Sequence, residues 1–275
     1  MSSAIQEVRA NGLRFAYLAQ GAGPLVLLLH GFPDTARTWD EVLPALARAG
    51  YRAAAPFMRG YVPTEIPAEE DYGADTLGRD VLGLIDALGE REAIVIGHDW
   101  GAVAAYSAVG LDPDRVRMLV TVGVPQPASV LPTPRMLWTV RHFFSLRRSG
   151  AAAKIRAGDL AHIDELVQRW SPAWKVPAGE TDAVKAAFRQ PGCLEAALGY
   201  YRAISPRLPA SQRRKIAVPS VAFAGAHDNI PTSAYERARS CYTGRYEVIT
   251  MPGGHFMHRE HPEHFIRELL RAIEG

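Results

Sequence analysis

The chain has 275 residues, 48% of them hydrophobic and 22% charged. That is long and apolar enough for one large α/β domain with an inserted part, and it excludes a disordered chain. A formal net charge of +2 argues against nucleic acid or an anionic membrane as a partner. The opening Met1-Ser2-Ser3-Ala4 has neither the basic nor the apolar stretch of a secretion signal, no apolar run reaches the roughly 18 residues of a membrane span, and Cys193 and Cys241 have no metal-type spacing. The expectation is a soluble, cytoplasmic protein with two free thiols, monomeric or homodimeric, that needs no metal or other cofactor.

Residues 5–19 read as two strands joined at Asn11-Gly12, a strong hairpin signal. Pro24 to Leu29 is a nearly continuous apolar run, as expected of a strand buried on both faces. Strands and helices then alternate: helix 37–49, strand 52–56, helix 75–88, strand 93–97, helix 100–110 and strand 116–123. This pattern implies a mostly parallel sheet covered by helices on both sides. It breaks at Pro125. From 126 to 212 the pattern is helical and rich in aromatics, entered and left through proline clusters, with twelve Lys and Arg against six Asp and Glu. That excess reads as a solvated face. Strand 220–224, a helix from 232, strand 245–250 and helix 261–273 complete the pattern. The expected organisation is a core domain of residues 1–125 and 213–275, interrupted by a helical lid at 126–212.

Gly97-His98-Asp99-Trp100-Gly101 follows the apolar strand Ala93-Ile94-Val95-Ile96 and opens an Ala-rich helix. Glycines on both sides of one apex residue mark a sharp strand-to-helix elbow that exposes a nucleophile. The apex is Asp99; a carboxylate there attacks carbon and leaves an alkyl ester on the protein. Such chemistry opens epoxides or displaces halides. The competing reading is an N-capping aspartate, which the paired glycines disfavour. The backbone N–H groups of Trp100 and Phe32, the latter in His30-Gly31-Phe32-Pro33, are the candidate oxyanion donors. Pro33 is a candidate for a cis peptide, and His30 reads as structural.

Releasing the ester requires a base to activate water. His255, in the Gly-rich loop Met251-Pro252-Gly253-Gly254-His255 after the last strand, is the candidate. Asp228, after the strand Val221–Ala224, is the acid that would orient it, and the order elbow–acid–histidine supports both. His258, His261 and His264, spaced by three, read as solvated or capping residues rather than metal ligands.

With these residues in place the chain resembles the α/β-hydrolase fold, and within it the epoxide hydrolase and haloalkane dehalogenase branch, closest to epoxide hydrolases. His30-Gly31-Phe32-Pro33 matches the family's H-G-x-P motif, Gly97–Gly101 its G-x-D-x-G elbow, and Arg59-Gly60-Tyr61 its R-G-Y turn. The resemblance implies two lid tyrosines that hydrogen-bond the epoxide oxygen. Tyr201 is similar to the second. The first has no match, since no tyrosine lies between Tyr106 and Tyr200; His142 is the substitute candidate, and Tyr200 reads as a packing residue. His30, Pro33, Trp39, Trp138, Phe143 and Phe256 are the candidate pocket residues, for an apolar small-molecule substrate that reacts with water.

The first expectation is therefore hydrolysis of an apolar epoxide to a vicinal diol. Haloalkane dehalogenation on the same Asp99 is the alternative, with Trp100 and Trp138 as halide donors. A non-catalytic ligand sensor is a third reading, and a serine esterase is weaker still because no G-x-S-x-G occurs.

Overall fold

The computed structural model describes residues 4–130 and 141–275, without the side chain of His142. Its framework is an eight-stranded sheet: β1 (Ile5–Ala10), β2 (Leu13–Gln20), β3 (Leu25–Leu29), β4 (Arg52–Pro56), β5 (Ala93–His98), β6 (Val116–Val122), β7 (Ser220–Gly225) and β8 (Tyr246–Met251). Their spatial order is β1-β2-β4-β3-β5-β6-β7-β8. β2 pairs antiparallel with β1 and β4, and every later pairing is parallel. The first two strands turn at Asn11 and Gly12, both with positive φ (42° and 80°), the requirement of the tight hairpin turn that Asn-Gly favours. All residues of β3, β5 and β7 are buried, as a parallel sheet covered on both faces demands.

The covering helices are α1 (Val42–Arg48), α2 (Ala74–Ala87) and α3 (Trp100–Leu111), with α4 (Arg141–Leu146), α5 (Ala151–Arg156), α6 (Ala161–Trp170), α7 (Asp182–Phe188), α8 (Cys193–Arg202) and α9 (Ala210–Arg213) between β6 and β7. After β7 come α10 (Thr232–Ala238), α11 (Met257–Glu260) and α12 (Pro262–Glu274). α2 buries Leu77, Val81, Leu84 and Ile85, and α12 buries Phe265, Leu269, Ala272 and Ile273. Both sets follow the 3.6-residue period of a half-covered helix. α3 is buried almost all round, which suits its place at the centre of the molecule. The helix expected over 37–49 is in fact two pieces, a 3₁₀ turn at Ala36–Trp39 followed by α1. Pro44 has no N–H to donate and is tolerated only in a helix's first turn, so the helix begins at Val42.

β3, β5, β6, β7 and β8 deliver Phe32, Asp99, Gly123, Asp228 and His255 just past their carboxyl ends. That edge is where open parallel sheets place their ligands. A buried bidentate ion pair, Arg59 Nε and Nη2 to Asp80 at 2.7 and 2.6 Å, fastens the turn after β4 to α2.

Candidate active site

Asp99 occupies the elbow between β5 and α3 at φ 51°, ψ −116°, a region that non-glycine residues rarely enter. The surrounding structure enforces it, because the turn is packed too tightly for side chains on its flanks. A Cβ on Gly97 would lie 2.3 Å from the Gly101 carbonyl oxygen, and one on Gly101 would lie 2.3 Å from the Leu29 carbonyl oxygen. Gly31 serves the same end from the facing loop: a Cβ there would sit 2.4 Å from Asp99 Oδ1. That close approach lets the Phe32 N–H donate to Asp99 Oδ1 at 2.8 Å. Trp100 opens α3, so its N–H is among the first-turn donors that a helix leaves without an intrahelical acceptor. The Phe32–Pro33 peptide is cis.

His255 and Asp228 close the constellation. His255 Nδ1 lies 3.0 Å from Asp228 Oδ2, whose side chain is 2% exposed. His255 Nε2 faces Asp99 Oδ2 at 3.6 Å, an ion-pair separation longer than a hydrogen bond. Burial pulls the imidazole's pKa down, but the Asp228 carboxylate and then Asp99 outweigh it and push it up to about 10. Burial likewise opposes the charge of Asp99, yet His255 and the Phe32 N–H hold its pKa below the usual carboxylate value. Free Asp99 is therefore an anion facing an imidazolium. Its side chain is still 17% exposed, toward a cavity of about 620 Å³ that Asp99, Asp228 and His255 line together with Trp100, Phe143 and Trp170.

Tyr201, on α8, is buried against the rings of Trp100 (centroids 5.2 Å apart), Phe32 and Phe143 (both 5.3 Å). Burial and the nearby Asp99 charge raise its pKa well above the ordinary phenol value, while the Trp100 side chain hydrogen-bonds it and works the other way. Its neighbour Tyr200 lines the cavity, whereas Tyr201 does not; Tyr200 nonetheless donates its hydroxyl to the Arg59 carbonyl oxygen at 2.7 Å, which ties it into the packing. The side chain of His142, and Trp138 altogether, lie outside the described residues.

Four expected pocket residues sit elsewhere. His30, Pro33, Trp39 and Phe256 are buried and do not line the cavity. His30 accepts from the Met58 N–H at 3.0 Å through Nε2 and contacts the Gly31 carbonyl oxygen through Nδ1, which makes it a loop brace. Trp39 and Phe256 pack against buried rings, Trp39 on His258 and Phe265, Phe256 on Trp170 and Trp174. His258 also departs from expectation. It is 1% exposed and not solvated, with Nε2 2.7 Å from Thr38 Oγ1. The wall residues that the sequence did not reveal, among them Asp75, Val124, Trp170 and Ile230, come from separate loops and helix ends with no shared spacing. Of the expected pocket aromatics among the described residues, Phe143 lines the cavity.

The sheet order, the covering helices and this arrangement at the sheet's carboxyl edge define a hydrolase scaffold. Residues 24–262 match the alpha/beta hydrolase fold family, and the chain belongs to it. It is 30% identical over 278 residues to the AB hydrolase superfamily protein YfhM of Bacillus subtilis, covering 98% of this chain and 94% of that one. It is also 30% identical to Epoxide hydrolase A of Mycobacterium tuberculosis over 312 residues, covering 98% and 96%. The crystal structure of Epoxide Hydrolase A from Mycobacterium thermoresistibile superposes with a TM-score of 0.82 at 27% identity, covering 100% of this chain and 99% of that one. Among the described residues, no helix is long and apolar enough to cross a membrane.

Proposed function

We propose that this protein is an epoxide hydrolase that converts an apolar epoxide to a vicinal diol through an ester on Asp99. The observation that carries the reading is the state of the Asp99 carboxylate. One oxygen is held by the Phe32 N–H at 2.8 Å and the other faces His255 at 3.6 Å, at the foot of a largely apolar cavity. Asp99 Oδ2 attacks an epoxide carbon and the ring C–O bond breaks. Tyr201, with His142 as the second candidate donor, hydrogen-bonds the emerging alkoxide and supplies its proton. Asp99 Oδ1, already held by the Phe32 N–H, becomes the ester carbonyl oxygen, with the Trp100 N–H as its second candidate donor.

Esterification removes the Asp99 charge and with it one of the two carboxylates that hold the His255 proton. The imidazolium then gives its Nε2 proton through solvent to the Tyr201 phenolate, and the neutral imidazole becomes a base when one is needed. His255 Nε2 takes a proton from water, hydroxide adds to the ester carbon, and negative charge gathers on Oδ1 in the oxyanion site. Collapse of that adduct expels the diol alkoxide, which takes the proton from His255. The proton left on the Asp99 carboxyl passes to His255, which restores the carboxylate–imidazolium pair of the free enzyme. Water is the only co-substrate.

The segment 126–212, helical in much of its described part, acts as a cap that shields the ester from bulk solvent. The unpaired thiols Cys193 and Cys241 suit a cytoplasmic setting, as monomer or homodimer. The test compares diol release from styrene oxide with bromide release from 1-bromobutane. The wild type should give diol, and Tyr201→Phe should lose about 10²–10³-fold in diol formation, the usual cost of one donor to a developing oxyanion. Bromide release that exceeds diol formation and survives Tyr201→Phe would identify a dehalogenase instead. No turnover and no protein adduct with either compound would favour a sensor.

A further inference from the structure

The reaction just described uses His255, but nothing in it accounts for His98, the fully buried residue directly before the nucleophile. We infer that His98 is a positioning residue for the base: its Nε2–H holds the His255 backbone and so sets the imidazole's angle between Asp228 and Asp99. The inference rests on the proposed function for the chemistry, and on the following geometry for the contact.

His98 Nε2 lies 3.1 Å from the His255 carbonyl oxygen. A carbonyl only accepts, so this nitrogen carries the hydrogen. Burial, reinforced by the facing His255 imidazolium, lowers the His98 pKa to about 3. The ring is therefore neutral and in the Nε2–H form, which leaves Nδ1 as a lone pair. A cation here would stand 4.8 Å from the His255 ring and oppose every step that charges it. His98 also meets the buried His258 ring, 4.5 Å away, which Thr38 anchors. The positioning ring is thus itself held.

The loop needs such a brace. His255 follows Gly253 and Gly254, residues that by themselves restrain the backbone least. From the cap side, the His255 N–H donates to the Trp170 carbonyl oxygen at 2.9 Å, and the Phe256 N–H donates to Ser171 Oγ at 3.1 Å. From the sheet side, His98 takes the carbonyl of the same residue. The base is fixed at both of its backbone polar groups, and the sheet-side bond comes from the strand that carries the nucleophile. Nucleophile and base are therefore indexed to one another through a single residue.

Two measurements test this. In the wild type, ¹⁵N spectra of the histidine rings should show His98 neutral and protonated at Nε2 from pH 5 to 9; an Nδ1–H form would overturn the proposal without any variant having to fold. In single-turnover mass spectrometry with styrene oxide, His98→Phe fills the space but lacks the donor. It should form the Asp99 ester at close to the wild-type rate and hydrolyse it about 10²-fold more slowly, the scale of a small misplacement of a catalytic group. His98→Gln, which restores an N–H at similar reach, should recover most of the loss. Equal slowing of both steps, or ester hydrolysis at the wild-type rate in His98→Phe, would refute it. A wild type that forms no ester would refute the proposed function instead, while the ring spectra still decide the His98–His255 bond.

Discussion

Asp228→Asn separates the two halves of the proposed reaction. The Nδ1···Oδ2 bond of 3.0 Å is nearly shut off from solvent, so it is a charge-assisted hydrogen bond at low local dielectric. Such a bond contributes about 1.5–3 kcal/mol, or a factor of about 10–150 in rate at about 1.4 kcal/mol per decade. The amide adds a second effect. Its NH₂ group can donate to His255 Nδ1, which forces the proton onto Nε2, the nitrogen that must accept from water. Wrong-tautomer effects of this kind reach about 10⁴. Ester hydrolysis should therefore fall by about 10²–10⁴-fold, whereas Asp99 still attacks the epoxide at close to its normal rate. Rapid-quench mass spectrometry of the intact protein should show the adduct rising as before and then persisting. Hydrolysis of the ester at the wild-type rate, or equal slowing of attack and release, would refute the assignment of Asp228 and His255 to the second half.

Two predictions concern stability. Arg59→Met strands Asp80 as a buried charge, with Asn11 as its remaining hydrogen-bond donor (2.7 Å); unfolding should be easier by about 3–5 kcal/mol, lowering Tm by about 10 °C at 2–4 °C per kcal/mol, and Arg59→Met with Asp80→Leu should recover much of the loss in a calorimetric scan. The His255 pKa is raised in the folded protein to about 10 from the ordinary 6.5, so its contribution is fully present below about pH 6.5 and is lost as pH rises through 10. The wild-type Tm should accordingly fall more steeply than that of Asp228→Asn between pH 7 and 10, and parallel curves would contradict this.

The sheet and elbow were legible because their signals are local. Asn11-Gly12 demands a particular turn, all-apolar runs such as Leu25–Leu29 have few places to go but the middle of a parallel sheet, and glycines on either side of Asp99 permit a backbone that most sequences forbid. The cavity wall was less legible because it is a tertiary product. His30 belongs to a motif, and Trp39 and Phe256 lie near motifs in sequence, yet their side chains turn into the packing that supports the loops, while Asp75, Val124 and Ile230 reach the cavity from positions that share no period. His258 shows the same limit. Its spacing with His261 and His264 suggested a wet helix face, but Trp39, His98 and Phe265 close over it. The brace between His98 and the His255 carbonyl spans 157 positions, a separation that no window of sequence contains.

In the proposed reaction the carboxyl of Asp99 bonds to substrate carbon. One turnover of excess enzyme with an epoxide in ¹⁸O-water, followed by mass analysis of the peptide carrying Asp99 and of the diol, tests it most directly. Attack by Asp99 should leave ¹⁸O in its carboxylate and an unlabelled first diol, because the new hydroxyl oxygen comes from the protein. Labelled diol with an unlabelled Asp99 would mean that water attacks the epoxide directly, and would contradict it.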